Sequence, residues 1–155
     1  GFGDIITEGP LEMDYPVILD QPAPHLMVYS KETAIAEKFE AMVRLGTANS
    51  RMKDFYDIFY LAEHEEFGAS SLSAAINQTF SHRGTDLNQA QFIFSDDFKA
   101  NNALNEMWTA FLKRSKLDTT IQFVETLIIL EHFLSIALLP DRITTRWFFT
   151  TKKWQ

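Results

Sequence analysis

The sequence predicts a mainly α fold with some β structure (α+β), a helical bundle of about five helices preceded by one or two short strands. Three observations carry that prediction. From residue 30 onward, apolar residues recur at three- and four-residue spacing between residues suited to helix ends. Residues 1 to 29 are instead rich in Gly and Pro, with short β-prone runs. A 46% hydrophobic content over 155 residues is enough for one compact core.

The β-prone runs are Tyr15 to Leu19 and Leu26 to Tyr29. Two short strands are not stable alone, so residues 1–29 read either as the trailing edge of a sheet begun upstream or as an extended arm lying on the helices. Residues 30–155 read as a helical C-terminal domain. Ser30 is suited to cap the first helix, Glu32 to its first turn and Gly46 to its end. A second helix is expected from Arg51 to His64, stopping before Gly68. Ser70 or Ser71 is expected to cap a third, ending near Gly84, and Ser95 a fourth that carries Leu104, Met107, Trp108, Phe111 and Leu112 on one buried face. Thr119 or Thr120 is expected to open a fifth, closed by Pro140. This last helix is apolar nearly all round, apart from a stripe of Glu125, Glu131, His132 and Ser135, and reads as the central core helix.

Composition excludes several function classes. A net charge of -7 disfavours indiscriminate attraction to nucleic acid or anionic lipid, so any RNA contact needs a local basic patch. The tail at residues 141–155 is such a reversal, with Arg142, Arg146, Lys152 and Lys153 among Trp147, Phe148, Phe149 and Trp154. The absence of cysteine removes disulfides, thiolate metal sites and cysteine nucleophiles. The most apolar stretch, Leu127 to Leu139, is too short to span a bilayer and contains Glu131 and His132. No partner membrane is expected, and the cytoplasm fits best. The opening Gly1-Phe2-Gly3-Asp4 lacks an initiator Met and a signal pattern, which suggests a fragment of something longer.

Polar residues that interrupt apolar faces are the candidate site. On a wheel of about 100° per residue, Ile35, Phe39, Met42, Val43 and Leu45 share an arc, with Glu37, Glu40 and Arg44 opposite. Lys38 falls inside the apolar arc, where it must snorkel, meet an anionic partner or face a cleft. In the second helix Asp54 projects between Leu61 and Ile58 of the buried stripe, flanked by Asp57. If the two helices pack as an antiparallel pair, the Thr47 to Ser50 connection is short enough to let Lys38 approach Asp54 or Asp57. A buried ion pair and a site for a phosphate with its metal ion are both open readings, as is a simple first-turn preference of Asp54. No metal site is assigned: Glu131 and His132 are adjacent and project about 100° apart, with no second His at ligand spacing.

Ile35 to Met42 (IAEKFEAM), followed by Asn49 to Ile58 (NSRMKDFYDI), closely resembles the paired third and fourth motifs of the AbiEii/AbiGii nucleotidyltransferase toxins. The opening Gly-Phe-Gly-Asp, Tyr15-Pro16 and Pro22-Ala23-Pro24 are also similar to that family, so the resemblance covers roughly residues 1 to 85 well and the rest loosely. It implies that the strands at 1–29 are left from an upstream nucleotidyltransferase sheet. Members carry there a Gly-Ser or Gly-Gly loop and an Asp-x-Asp pair for metal and nucleotide, which nothing here matches; a further carboxylate would fall just before Gly1, or else at Asp4. By resemblance Lys38 contacts nucleotide phosphate, and Asp54 or Asp57 positions that lysine or acts near the attacking hydroxyl. Arg51 and Lys53 join the nucleotide-binding set, Lys53 standing where the family often has Arg. The resemblance further implies Mg2+ and a nucleoside triphosphate for the parent protein, an RNA acceptor (tRNA) and an antitoxin partner, and a fragment inactive by itself. Arg44, Arg51, Lys53 and the Arg142 to Lys153 tail are candidate RNA contacts or else solvated charges. The rival reading is a noncatalytic helical protein-interaction module whose tail aromatics dock a partner.

Overall fold

A computed structural model describes residues 30–138 and 145–155. The strand runs expected at 15–19 and 26–29, Asp4, Pro140 and Arg142 lie outside the described residues. Helix α1 (Lys31–Leu45) starts where Ser30 Oγ accepts from the Thr33 N–H at 3.1 Å. It ends at Gly46, whose φ of +52° is unfavourable for a side-chain-bearing residue. Helix α2 (Met52–His64) follows a 3-10 turn at Gly46–Ala48. Its entry is shaped by Asn49, whose Oδ1 accepts from the Arg51 N–H at 2.7 Å.

Helix α3 (Ala69–Arg83) begins two or three residues earlier than a cap at Ser70 or Ser71 would allow, and neither serine caps it. The cause is tertiary. Strand β1 (Phe67–Gly68) leads directly into the helix, and the Ala69 N–H is taken by the Thr145 carbonyl at 2.9 Å. At the other end Gly84 adopts the left-handed conformation, and the Thr85 N–H bonds back to Phe80 O at 2.9 Å.

The expected fourth helix is broken. Ser95 caps only the short α5 (Asp96–Lys99), which follows α4 (Ala90–Ile93), and Asn101 restarts the chain as α6 (Asn102–Arg114). Asn101 takes extended backbone while its Oδ1 accepts from the Leu104 N–H at 2.9 Å, a local bond that competes with helix continuation. Thr119 likewise makes a turn rather than a cap, accepting from the Ile121 N–H at 3.2 Å, and α7 (Phe123–Leu134) starts after Gln122. The described residues thus hold seven α-helices where about five were expected, the difference lying in α4 to α6.

Helix α1, not α7, is the central helix. Ten of its fifteen residues are buried, against six of twelve in α7. It packs on α3 and α2, while α2 in turn packs on α7. On α7 the polar stripe is solvated, with Glu125, Glu131 and His132 exposed. Glu40 is a further correction, because it is wholly buried although the wheel places it opposite the apolar arc. Its carboxylate meets Arg44 at 3.2 Å, Arg83 at 3.3 Å and the Thr85 hydroxyl at 2.6 Å. The last two arrive from the end of α3, which no helical periodicity reveals.

The aromatic tail folds back into the same chain. Strands β2 (Arg146–Phe148) and β3 (Lys153–Trp154) extend β1 into an antiparallel sheet of order β1-β2-β3, with Phe67 opposite Trp147 and Trp147 opposite Trp154. The Trp147 indole is fully buried and donates to Ala62 O at 2.8 Å, and Trp154 donates to Phe133 O at 3.0 Å. Phe133 lies edge-on to Trp147 at 5.0 Å and stacks on Trp154 at 6.0 Å. Two of the rings that the rival reading offers as anchors for a partner are therefore core, packed back onto their own chain. No helix among the described residues is long and apolar enough to cross a membrane. Replacing Trp147 by Ala should destabilise the chain by about 3–5 kcal/mol in urea unfolding, since it leaves a cavity and an unpaired carbonyl. A loss below about 1 kcal/mol would contradict this packing.

Candidate functional site

The residues that interrupt the apolar faces come together where α1 meets the first turns of α2. Lys38 Nζ lies 3.4 Å from Asp54 Oδ1 and 3.0 Å from Asp57 Oδ2. The aspartate side chains are only 4% and 1% exposed, whereas that of Lys38 keeps 17%. The arrangement follows from local geometry: Asp54 and Asp57 are three residues apart and share a face of α2, and the tight link through Asn49 turns that face towards α1.

Two more cations close the cluster from the water side. Lys53 Nζ reaches Asp57 Oδ2 at 2.9 Å along α2, and Arg51 Nε stands 3.1 Å from Asp54 Oδ2. Both are substantially exposed, so these contacts contribute little stability, roughly 0–1 kcal/mol each. The contact between Lys38 and its two carboxylates is the strongly desolvated part. Of the remaining candidate RNA contacts, Arg44 is engaged by Glu40, and Lys152 pairs with Glu63 at 3.0 Å.

Burial pushes the Asp57 carboxyl above its ordinary range, against the opposing pull of Lys38 and Lys53. Burial also raises the Glu37 carboxyl, beside Lys38 on α1, and so disfavours its charge. The Tyr56 phenol is raised too, by burial first and then by Tyr60 and Asp57. Several buried polar atoms here lack a hydrogen-bond partner, namely Glu37 Oε1, Asn49 Nδ2 and Asp57 Oδ1, while Asp54 Oδ2 meets only the Arg51 guanidinium. The cluster thus retains one amide donor and carboxylate acceptors beyond those the lysines use. Asn49 was not singled out in the sequence; its position three residues ahead of the helix start at Met52 was the available signal.

The cluster does not make a cage for Mg2+. Among the described residues no group of three His, Asp or Glu side chains converges, and Asp54 and Asp57 already face ammonium groups. Glu131 Oε1 is bound by Lys99 at 3.1 Å. A cavity of about 430 Å³ between α6 and the start of α7, lined by Asn105, Thr109, Lys113 and Thr119 among others, includes none of the clustered residues.

Fold and site together define a mainly helical protein that carries a lysine between two buried aspartates at the junction of adjacent helices. The family follows from comparison with known families. Residues 1–128 match the family described as Nucleotidyl transferase AbiEii toxin, Type IV TA system, and the chain belongs to that family of toxin–antitoxin proteins. No curated protein and no solved structure matches the chain.

Two outcomes follow from the charges. Lys38→Met should cost about 3–5 kcal/mol in urea unfolding, because it strands two desolvated carboxylates, while Lys53→Met should cost under about 1 kcal/mol. Similar losses in both would contradict the burial difference. For Asp57, a raised folded-state pKa means that the folded chain holds more protons than the unfolded one above about pH 4, so this group's contribution falls as pH rises through that window. The stability of Asp57→Asn relative to the parent should therefore climb from about pH 4 and level off once the raised pKa is passed. A relative stability that declines over that range would show a depressed carboxyl instead.

Proposed function

We propose that this chain is the helical part of a nucleotidyltransferase-like toxin that transfers nucleotides from a ribonucleoside triphosphate to an RNA acceptor, tRNA, in the cytoplasm, under the control of an antitoxin. The observation that carries the reading is the Lys38 ammonium, bracketed at 3.4 and 3.0 Å by two nearly water-free aspartates yet partly open itself, in a chain of this family.

An ammonium so held is oriented before any ligand arrives, which favours a developing phosphate charge without reorganisation in the reaction. Lys38 contacts a triphosphate oxygen, and Asp54 positions it. Arg51 and Lys53, the exposed cations of the cluster, draw the anionic substrate towards it. Asp57 is assigned to the acceptor hydroxyl. Its raised carboxyl and unpaired Oδ1 suit it to take the proton as the hydroxyl oxygen bonds to the α-phosphorus and pyrophosphate leaves. On this reading the metal and the Asp-x-Asp pair belong to the nucleotidyltransferase domain, and this chain alone is inactive.

The test is incorporation of labelled nucleotide into tRNA by the complete toxin, normalised to the folded fraction by circular dichroism. Lys38→Ala and Asp54→Ala should each lower the rate by about 100-fold, with Lys38→Arg recovering part of it. Parent-like rates in both alanine variants would remove the pair from the mechanism. Failure of the unaltered toxin to label tRNA with any of the ribonucleoside triphosphates would sink the acceptor assignment.

A further inference from the structure

Three rings climb one face of α2 away from the charged cluster. Tyr56, Tyr60 and His64 stand at four-residue spacing, so they line up along the helix over about 12 Å, with Lys53 one turn before them. The centroids of Tyr56 and Tyr60 are 6.3 Å apart, and Tyr60 and His64 stack at 4.0 Å with only 19° between their planes. His64 Nδ1 lies 2.7 Å from Tyr60 O, which holds the imidazole against the phenol.

The rungs differ in how they are used by the fold. Tyr56 packs against the core, 5.9 Å from Phe111 and 6.4 Å from Trp108 on α6. Tyr60, half-buried, is not among the rings packed on that core, and His64 is exposed. A stacked pair of rings facing water adds little to the core, but it offers π surfaces that accept any nucleobase. The ladder also begins beside the candidate site, where Asp57 adds to the rise in the Tyr56 phenol and Lys53 and Arg51 supply exposed cations for phosphates.

We infer that the Tyr56, Tyr60 and His64 ladder is the stacking platform for the bases of a single-stranded end of the RNA acceptor, leading its terminal hydroxyl to the Lys38, Asp54 and Asp57 cluster. This rests on the proposed RNA acceptor and specifies which form of RNA the site takes. Recognition is through base faces, so it is tolerant of sequence and selects single strands over duplex.

Fluorescence anisotropy of the 155-residue chain with a labelled oligoadenylate, at one salt concentration, tests it against an abasic oligoribose phosphate of equal length and charge. The chain should bind oligoadenylate about tenfold more tightly than the abasic strand. Tyr60→Leu and His64→Ala should each remove most of that preference, whereas Tyr60→Phe should keep it. Equal binding of both strands by the unaltered chain, or a full preference in a folded Tyr60→Leu variant, would overturn the ladder. So would a KM for tRNA unchanged by Tyr60→Leu in the complete toxin, an outcome that leaves the nucleotidyl-transfer reading standing. If the unaltered toxin labels no RNA, that reading falls and takes the ladder with it.

Discussion

An ammonium on α1 held by two aspartates of α2 that water scarcely reaches is the constraint on which the helix pair depends. Each of the three charges is costly in that position without the others, so the register of α1 against α2 is tied to charge as well as to shape. A hydrophobic contact would tolerate a small slide along the helix, whereas an Nζ to carboxylate distance near 3 Å does not. The same tie that orients the helices leaves one face of Lys38 accessible, and that combination makes a structural ion pair also a candidate phosphate contact.

A second constraint works from the far end of the chain. Trp147 and Trp154 close the bundle beneath the end of α2 and against α7, each by ring packing and by an indole N–H given to a backbone carbonyl. Through Thr145 the same segment sets where α3 begins, and through the Glu63 to Lys152 pair it touches α2 again. Lys152 is therefore tethered to an acidic residue of the helix that carries the aspartates, and Arg146 approaches Glu66 just beyond that helix. The tail's local charge reversal is partly cancelled by the surface against which it folds.

Particular residues show what a one-dimensional reading can see. Ser30 and Gly46 bound α1 as expected, since a cap is a contact within a few residues and a positive φ is a local need. The placement of Lys38 and Asp54 on apolar arcs was equally visible, because helical periodicity is local. Asn101 shows the limit. It is as good a cap as Ser95, and only the folded chain reveals that both are used, which divides one expected helix into two. Ser70 and Ser71 look like caps and are not, because a strand partner some seventy-five residues later satisfies the helix start first. Glu40 is the furthest from legibility: its burial depends on Arg83 and Thr85, brought across by the end of α3.

By itself the sequence determined the predominance of helix, the ends of α1, the charged residues that break its apolar arcs, and the paired motifs that signal the family. Those features are set by contacts within a turn or two of helix, or by residue identity alone. Only the tertiary structure decided that α1 rather than α7 is the enclosed helix, that the tail tryptophans are core, and how Lys38 divides itself between Asp54 and Asp57. Burial and ion pairing between elements depend on which surfaces the chain brings together, and that long-range geometry is absent from the spacing of residues along one segment.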